Sequence, residues 1–167
     1  MSGGRVGSAV LLVVVALLIL RPWEGGTDRG GPAETAAVVV RVVDGDTVEI
    51  EFDGERQDLR LIGVDTPETV KPGAPVECFG RQASNFTHRS LEGRRVNVVF
   101  GVERTDSYGR LLGYLRVEGR LFNAELLRRG LARTLTIPPN DRLAPLFERL
   151  ALTAARAGRG LWGACDA

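Results

Sequence analysis

Residues 36–62 carry three short apolar runs of the kind found in β-strands, and two Asp-Gly turns separate them. In the middle run Val48, Ile50 and Phe52 alternate with two glutamates, so the apolar side chains share one face of an extended strand. Asp-Gly is a strong short-range signal for a hairpin because a tight turn often needs positive φ. This segment therefore predicts a meander of three antiparallel strands.

The rest of the domain predicts two further strands and three helices. The first of these helices follows a proline- and glycine-rich loop, and one of its faces carries Phe79, Ala83, Phe86 and either Ser90 or Leu91. The elements expected after the meander are that helix, strands at 95–100 and 109–117, and helices at 121–129 and from about residue 141. Five strands with a helix after the third favour an α+β fold, a five-stranded β-barrel of the OB type with three α-helices. Such barrels commonly bind nucleic acids.

The first 35 residues predict export rather than folded structure. Residues 6–20 form an uncharged apolar run that would rise about 22 Å as a helix, less than the roughly 30 Å of a hydrocarbon core. We expect residues 1–22 to be either a signal peptide or an uncleaved membrane anchor, so that the protein is secreted or anchored through residues 6–20. Residues 23–35 predict a flexible linker, and residues 36–167 the folded domain.

The net charge and the numbers of histidine and cysteine residues restrict which partners and metals the chain can bind. The net charge is +1 from 22 basic and 21 acidic side chains, so no strong overall field indicates a polyanionic partner, and phosphate recognition must be local. Lys71 is the only lysine, so every other basic side chain is an arginine, which matches phosphate in a bidentate manner. A single histidine and two cysteines exclude a zinc cluster of these residues within one chain, and a bound metal would be a hard cation on carboxylates.

The two cysteines are Cys78 and Cys165. In an exported chain they most simply form one disulfide, which would stabilise the fold by about 2–4 kcal/mol. Two free thiols are the alternative.

Carboxylates and an arginine collect at the ends of strands that must be neighbours in the meander. Asp44 and Asp46 lie where the first strand turns into the second, Arg60 lies on the third strand, and Asp65 and Glu68 follow it. Two carboxylates with backbone carbonyls suit Ca²⁺, and arginine beside them suits an anion with several oxygens. Hydrolysis of a phosphodiester needs this mixture, because cationic groups stabilise the transition state and a carboxylate positions or deprotonates water.

Three motifs occur in order along the chain: Asp44-Gly45-Asp46-Thr47, the run RLIGVDTPE at residues 60–68, and the run TDSYGR at residues 105–110. Together they closely resemble the staphylococcal nuclease-like (thermonuclease) family. The resemblance extends from about Val38 to Trp162, which is nearly the whole domain.

The resemblance implies a role for each motif residue. Asp46, Asp65 and the main-chain carbonyl of Thr66 would bind Ca²⁺, and Asp44 would contact the ion through water. Glu68 would be the general base or would orient the attacking water.

The same resemblance assigns the substrate contacts. Arg60 and Arg110 would hold the scissile phosphate, Tyr108 would hydrogen-bond a terminal phosphate of the bound nucleotide, and Lys71 would contribute to substrate binding. Family members cleave DNA and RNA at the 5′ P–O bond and leave 3′-phosphates. The chain differs from the best-known members in residues 131–138, which lack base-stacking aromatics, and in a loop whose only lysine is Lys71, so we expect substrate affinity to differ.

The leading hypothesis is an exported, monomeric, Ca²⁺-dependent nuclease for DNA and RNA. One alternative is a non-catalytic nucleic-acid-binding module of the same fold tethered at the membrane, and another is an interaction domain whose anchor is its main function. A binding module would have no reason to carry the complete catalytic set. That set is Asp46, Arg60, Asp65, Glu68 and Arg110.

Overall fold

The computed structural model describes residues 33–69, 73 and 75–165. The predicted signal peptide or anchor and Lys71 lie outside these residues. Within the described part of the chain, no helix is both long enough and apolar enough to cross a bilayer.

The described residues form eight strands and four helices. In chain order these are β1 (Thr35–Asp44), β2 (Thr47–Phe52), β3 (Glu55–Leu61), β4 (Gly63–Asp65), α1 (Gly80–Leu91), β5 (Arg95–Thr105), β6 (Leu111–Val117), β7 (Arg120–Leu121), α2 (Phe122–Arg128), β8 (Arg133–Leu135), α3 (Ala144–Arg156) and α4 (Leu161–Ala164).

Strands β1, β2 and β3 form the predicted antiparallel meander. Strand β5 pairs with β1 and with β6, and a parallel pairing of β3 with β6 closes the sheet on itself. The two-residue strand β7 extends β6, and β4 pairs with β8 in a separate two-stranded sheet. The prediction of a five-stranded barrel with three α-helices is confirmed, and α4 is an additional single turn.

The two Asp-Gly turns need their glycine for different structural reasons. At the β2–β3 turn, Asp53 and Gly54 have φ of 52° and 80°, as a tight hairpin turn requires. Gly45, in the β1–β2 turn, is not among the residues with positive φ. A Cβ on Gly45 would instead lie 2.6 Å from Oγ1 of Thr66. The explanation by positive φ is therefore wrong for this turn, because what it needs is room for a neighbouring segment.

Helix α1 covers one side of the barrel against β1. Its buried residues are Gly80, Ala83, Thr87 and Leu91. Ala83 and Leu91 belong to the predicted face, whereas Phe79 precedes the helix with φ of 69° and Phe86 is only half-buried. The hydroxyl of Thr87 donates a hydrogen bond of 2.6 Å to the carbonyl of Gly45, so the helix also supports the β1–β2 turn.

A buried asparagine connects α2 to the barrel, and a disulfide connects the end of α4 to the start of α1. Asn123 in α2 accepts a hydrogen bond from the Leu115 N–H (3.0 Å) and donates one to the Ile62 carbonyl (2.9 Å), which satisfies two buried backbone groups. Cys78, just before α1, forms a disulfide with Cys165, the residue after α4. The chain end is thereby attached to the start of α1.

Candidate active site

Carboxylates and guanidinium groups from three segments line one cavity of about 390 Å³. The segments are the β1–β2 turn, strand β3 and the stretch after β4, with Arg110 completing the wall. The charged groups are the carboxylates of Asp44, Asp46, Asp58, Asp65 and Glu68 and the guanidiniums of Arg60 and Arg110. The cavity therefore brings the charged motif residues together. Asp58, which the sequence analysis did not single out, adds a fifth carboxylate against two arginines.

The β1–β2 turn holds Asp46 against Thr66. One carboxylate oxygen of Asp46, Oδ2, accepts hydrogen bonds from the Thr66 N–H (2.7 Å) and hydroxyl (3.0 Å). Thr66 can come this close to the turn because Gly45 has no side chain, since a Cβ there would collide with the Thr66 side chain. The local sequence thus places a buried carboxylate beside a segment that follows it by 20 residues.

Arg60 links two of the carboxylates. It lies opposite Thr47 in the β2–β3 register and points away from the barrel core, as the apolar alternation predicts. Its NH1 lies 3.2 Å from Oδ2 of Asp46, and its NH2 lies 3.0 Å from Oδ1 of Asp65. NH1 also donates to the Val64 carbonyl at 2.7 Å. With only 13% of its side chain exposed, this guanidinium is held in one position.

Asp44 attaches the segment around Glu68 to the same turn. Its Oδ1 accepts hydrogen bonds from the Gly45 N–H (2.7 Å) and from the Thr69 hydroxyl (2.6 Å). Its Oδ2 accepts a longer bond from the Thr69 N–H (3.3 Å). Asp44 therefore fixes the residue directly after Glu68.

A reciprocal pair of hydrogen bonds fixes the backbone of Glu68. Its N–H donates to Oε2 of Glu77 (3.1 Å), and the Glu77 N–H donates to the Glu68 carbonyl (2.9 Å). Glu77 precedes Cys78, so the disulfide to Cys165 holds the same point of the chain. Glu77 is a positioning residue that the sequence analysis missed, and its place at the end of the proline- and glycine-rich loop was the available signal.

Asp106 orients Arg110. Its Oδ2 lies 2.7 Å from both Nε and NH2 of the Arg110 guanidinium. Its Oδ1 accepts hydrogen bonds from the backbone N–H groups of Tyr108 (2.9 Å) and Arg110 (3.0 Å). The side chain of Tyr108 is 84% exposed and does not line the cavity, although its ring lies 5.3 Å from the Arg110 guanidinium carbon. Asp106 is a second missed positioning residue, recognisable in retrospect as a carboxylate four positions before the arginine.

The electrostatics of the cavity follow from this crowding of charge. Burial raises the pKa of Asp65 above its ordinary value, while Arg60 opposes the rise. Burial likewise raises the pKa of Asp44, where hydrogen bonds from Thr69 act against the rise and the carboxyl of Glu68 adds to it. In Asp106, burial alone would raise the pKa, but the Arg110 side chain and two backbone N–H groups together lower it.

These residues fit a hard divalent cation by their donor chemistry. Asp46, Asp65 and Thr66 line the cavity together and offer two carboxylates and a main-chain carbonyl, with Asp44 next to them. Within the described ranges no three His, Cys, Asp or Glu side chains form a preformed metal cluster, so water or substrate oxygens would complete the coordination. The excess of carboxylates over guanidinium groups in the cavity favours a cation here.

An apolar cavity of about 310 Å³ shares Arg60 and Arg110 with the charged one. Its apolar wall includes Leu112, Leu135 and Ile137, and the last is 59% exposed. Aliphatic side chains therefore lie beside the two arginines.

Comparison with known proteins assigns this arrangement to a family. Residues 58–164 match the model of the family described as staphylococcal nuclease homologue. The chain is 38% identical to the thermonuclease of Staphylococcus intermedius over 95% of this chain and 98% of that protein. It is 37% identical to the thermonuclease of Staphylococcus hyicus over 91% of this chain and 95% of that protein. It is 36% identical to endonuclease YncB of Bacillus subtilis over 64% of this chain and 52% of that protein.

The lowered pKa of Asp106 predicts how its contribution to stability depends on pH. A carboxylate whose folded-state pKa is lowered stabilises the fold above its unfolded value, about 4, and loses this effect as pH falls through the folded value. Asp106→Asn should therefore reduce the free energy of unfolding at pH 7, and its difference from the parent protein should shrink towards pH 3. Urea unfolding across this range measures both.

Asp53→Asn is the matched control, because Asp53 is an exposed turn aspartate and asparagine accepts its positive φ. It should leave the free energy of unfolding nearly unchanged at pH 7. A difference for Asp106→Asn that is equally large at both ends of the pH range would contradict the assignment.

Proposed function

Because the chain belongs to the family of staphylococcal nuclease homologues and is a nuclease that hydrolyses phosphodiester bonds, we propose that it is a Ca²⁺-dependent enzyme acting on both DNA and RNA. The observation that carries the proposal is the charged cavity, in which two arginines face an excess of carboxylates. Membership of the family and the complete set of hydrolytic groups favour catalysis over a non-catalytic binding module.

Arg60 and Arg110 would bind the scissile phosphate. Carboxylates of Asp46 and Asp65 hold the Arg60 guanidinium at the cavity, and the Asp106 carboxylate holds that of Arg110, so both are in place before substrate binds. Preorganised donors of this kind stabilise charge that develops in the transition state. Arg110 would act mainly late, when charge accumulates on the phosphoryl oxygens.

Asp46, Asp65 and the carbonyl of Thr66 would hold Ca²⁺, with Asp44 contacting it through water. When bound, the ion would neutralise phosphate charge and act as a Lewis acid. The chain's own contribution is to hold two aspartates at one point, which it does through the shared Arg60 guanidinium.

Glu68 would orient the attacking water or accept its proton. The new bond joins the water oxygen to phosphorus, the 5′ P–O bond breaks, and the products are a 3′-phosphate and a 5′-hydroxyl. The proton that leaves the attacking water passes to Glu68, a solvent water donates a proton to the departing 5′ oxygen, and Glu68 then returns its proton to the solvent. The backbone N–H and the carbonyl of Glu68 are both hydrogen-bonded to Glu77. The Glu68 side chain therefore extends towards the cavity from a fixed backbone position.

We also propose that the protein is exported, either with a cleaved signal peptide or through an anchor at residues 6–20. The apolar run in the sequence supports this, as does the pairing of Cys78 with Cys165, since disulfides persist mainly in oxidising compartments. Intact-mass measurement of the exported protein separates the two forms: a mass lacking about 20–30 residues indicates cleavage. Recovery of the protein only from the cytosol would contradict export.

The activity itself is tested on single-stranded DNA and RNA with millimolar Ca²⁺. We expect hydrolysis that stops when a chelator is added and products that carry 3′-phosphates. Arg60→Ala and Glu68→Ala should each lower kcat by about 10²-fold or more, because each removes a group that acts in the transition state.

Arg56→Ala is the matched control for this experiment. Arg56 lies on the same strand as Arg60 but is exposed and forms an ion pair with Glu51 at the surface, so kcat should stay near that of the parent protein. Full activity of either site variant, or activity that persists in chelator, would overturn the proposal.

A further inference from the structure

A groove of about 630 Å³ lies between α1, α2 and the residues before α4, and it shares no lining residue with the charged cavity. Four arginines line it: Arg89, Arg128, Arg129 and Arg159. Glu125 is the only carboxylate that the described part of the chain adds to the lining. This arginine groove is therefore strongly basic, although the chain as a whole is nearly neutral.

Contacts within the protein neutralise only part of this charge. Oε1 of Glu125 accepts a hydrogen bond of 2.6 Å from Arg129, and its Oε2 lies 3.6 Å from Arg128. Arg159 donates a hydrogen bond of 3.3 Å to the backbone carbonyl of Arg128. Among the described residues the Arg89 side chain has no ion-pair partner. Like charges in one groove repel each other, and a ligand with several anionic oxygens would relieve that repulsion.

The groove also has apolar and aromatic surface. Phe79, Phe86 and Leu131 contribute to the lining. The guanidinium carbon of Arg129 lies 4.8 Å from the centre of the Phe86 ring, and the other neighbour of that ring is Phe122, stacked at 5.7 Å. Single-stranded nucleic acids bind to surfaces of this kind, since bases stack on guanidinium planes and phosphates bind the cationic groups.

One end of the groove lies next to the catalytic segment. Phe79 is followed by Gly80, and a Cβ on Gly80 would lie 3.0 Å from the carbonyl oxygen of Glu68 and 3.1 Å from that of Pro67. The chain that carries Glu68 therefore packs directly against the residue that follows Phe79. This end of the groove therefore lies next to the segment that carries Glu68.

We propose that the arginine groove is a second binding site for the substrate, which holds a single strand of nucleic acid beyond the nucleotides bound at the cavity. The nature of the ligand rests on the proposed function. The groove supplies phosphate and base contacts that residues 131–138, which lack aromatics, do not supply.

The test compares a long substrate with a short one in the full chain. Arg89→Ala/Arg159→Ala removes the two guanidiniums of the groove that pair with no carboxylate of the described residues. Arg95→Ala/Arg120→Ala is the control, with two exposed arginines outside the groove and the same loss of charge. The substrates are a dinucleotide and a single-stranded DNA of about 30 nucleotides, which is long enough to reach beyond the cavity.

For the groove variant we expect KM on the long DNA to rise about 10-fold with kcat little changed, and kcat/KM on the dinucleotide to stay constant. The slope of log KM against log salt should fall by about 1.4, because each lost phosphate contact on a single strand contributes about 0.7. The control variant should resemble the parent protein on both substrates. Thermal unfolding of all three proteins verifies that each is folded.

Equal effects on both substrates, no effect on the long DNA, or the same effect in the control would overturn the proposal. Fluorescence anisotropy of the labelled DNA in chelator measures binding without turnover. Failure of the parent protein to hydrolyse either substrate would therefore overturn the proposed function alone, while the anisotropy of the variants would still decide whether the groove binds the strand.

Discussion

The guanidinium of Arg60 holds together the parts of the chain on which the charged cavity depends. Its nitrogens lie 3.2 Å from a carboxylate oxygen of Asp46 and 3.0 Å from one of Asp65. It also donates a hydrogen bond of 2.7 Å to the carbonyl of Val64. Two carboxylates brought this close would repel each other without a shared cation. Because the β2–β3 register places Arg60 beside Thr47, the barrel itself determines where this bridge forms.

The other groups in the cavity are positioned by residues that do no chemistry themselves. Glu77 fixes the backbone of Glu68, and Asp106 fixes the guanidinium of Arg110 through two hydrogen-bonded nitrogens. Both are carboxylates that orient their partners by accepting hydrogen bonds. The result is a site in which the groups facing the cavity need little rearrangement when a ligand binds.

The sequence predicts the barrel and the residues of the cavity because alternation, turn signals and motif order are local properties. It does not predict the parallel closure of β3 on β6, which depends on contacts distant along the chain. The explanation of Gly45 by positive φ is wrong because the close approach of Thr66 is a tertiary contact. Asp106 and Glu77 were missed because they act only through hydrogen bonds to backbone and guanidinium groups, which residue type and spacing alone do not reveal.

The central claim is that Asp46, Asp65 and Thr66 form one cation site beside two phosphate-binding arginines. Crystals grown with Ca²⁺ and a nucleoside 3′,5′-bisphosphate test it directly through the anomalous signal of the ion. The account predicts one strong peak about 2.3–2.6 Å from oxygens of all three residues, with a phosphate on Arg60 and Arg110. An ion bound elsewhere on the protein, or a phosphate at the arginines with no ion beside the two aspartates, would contradict it.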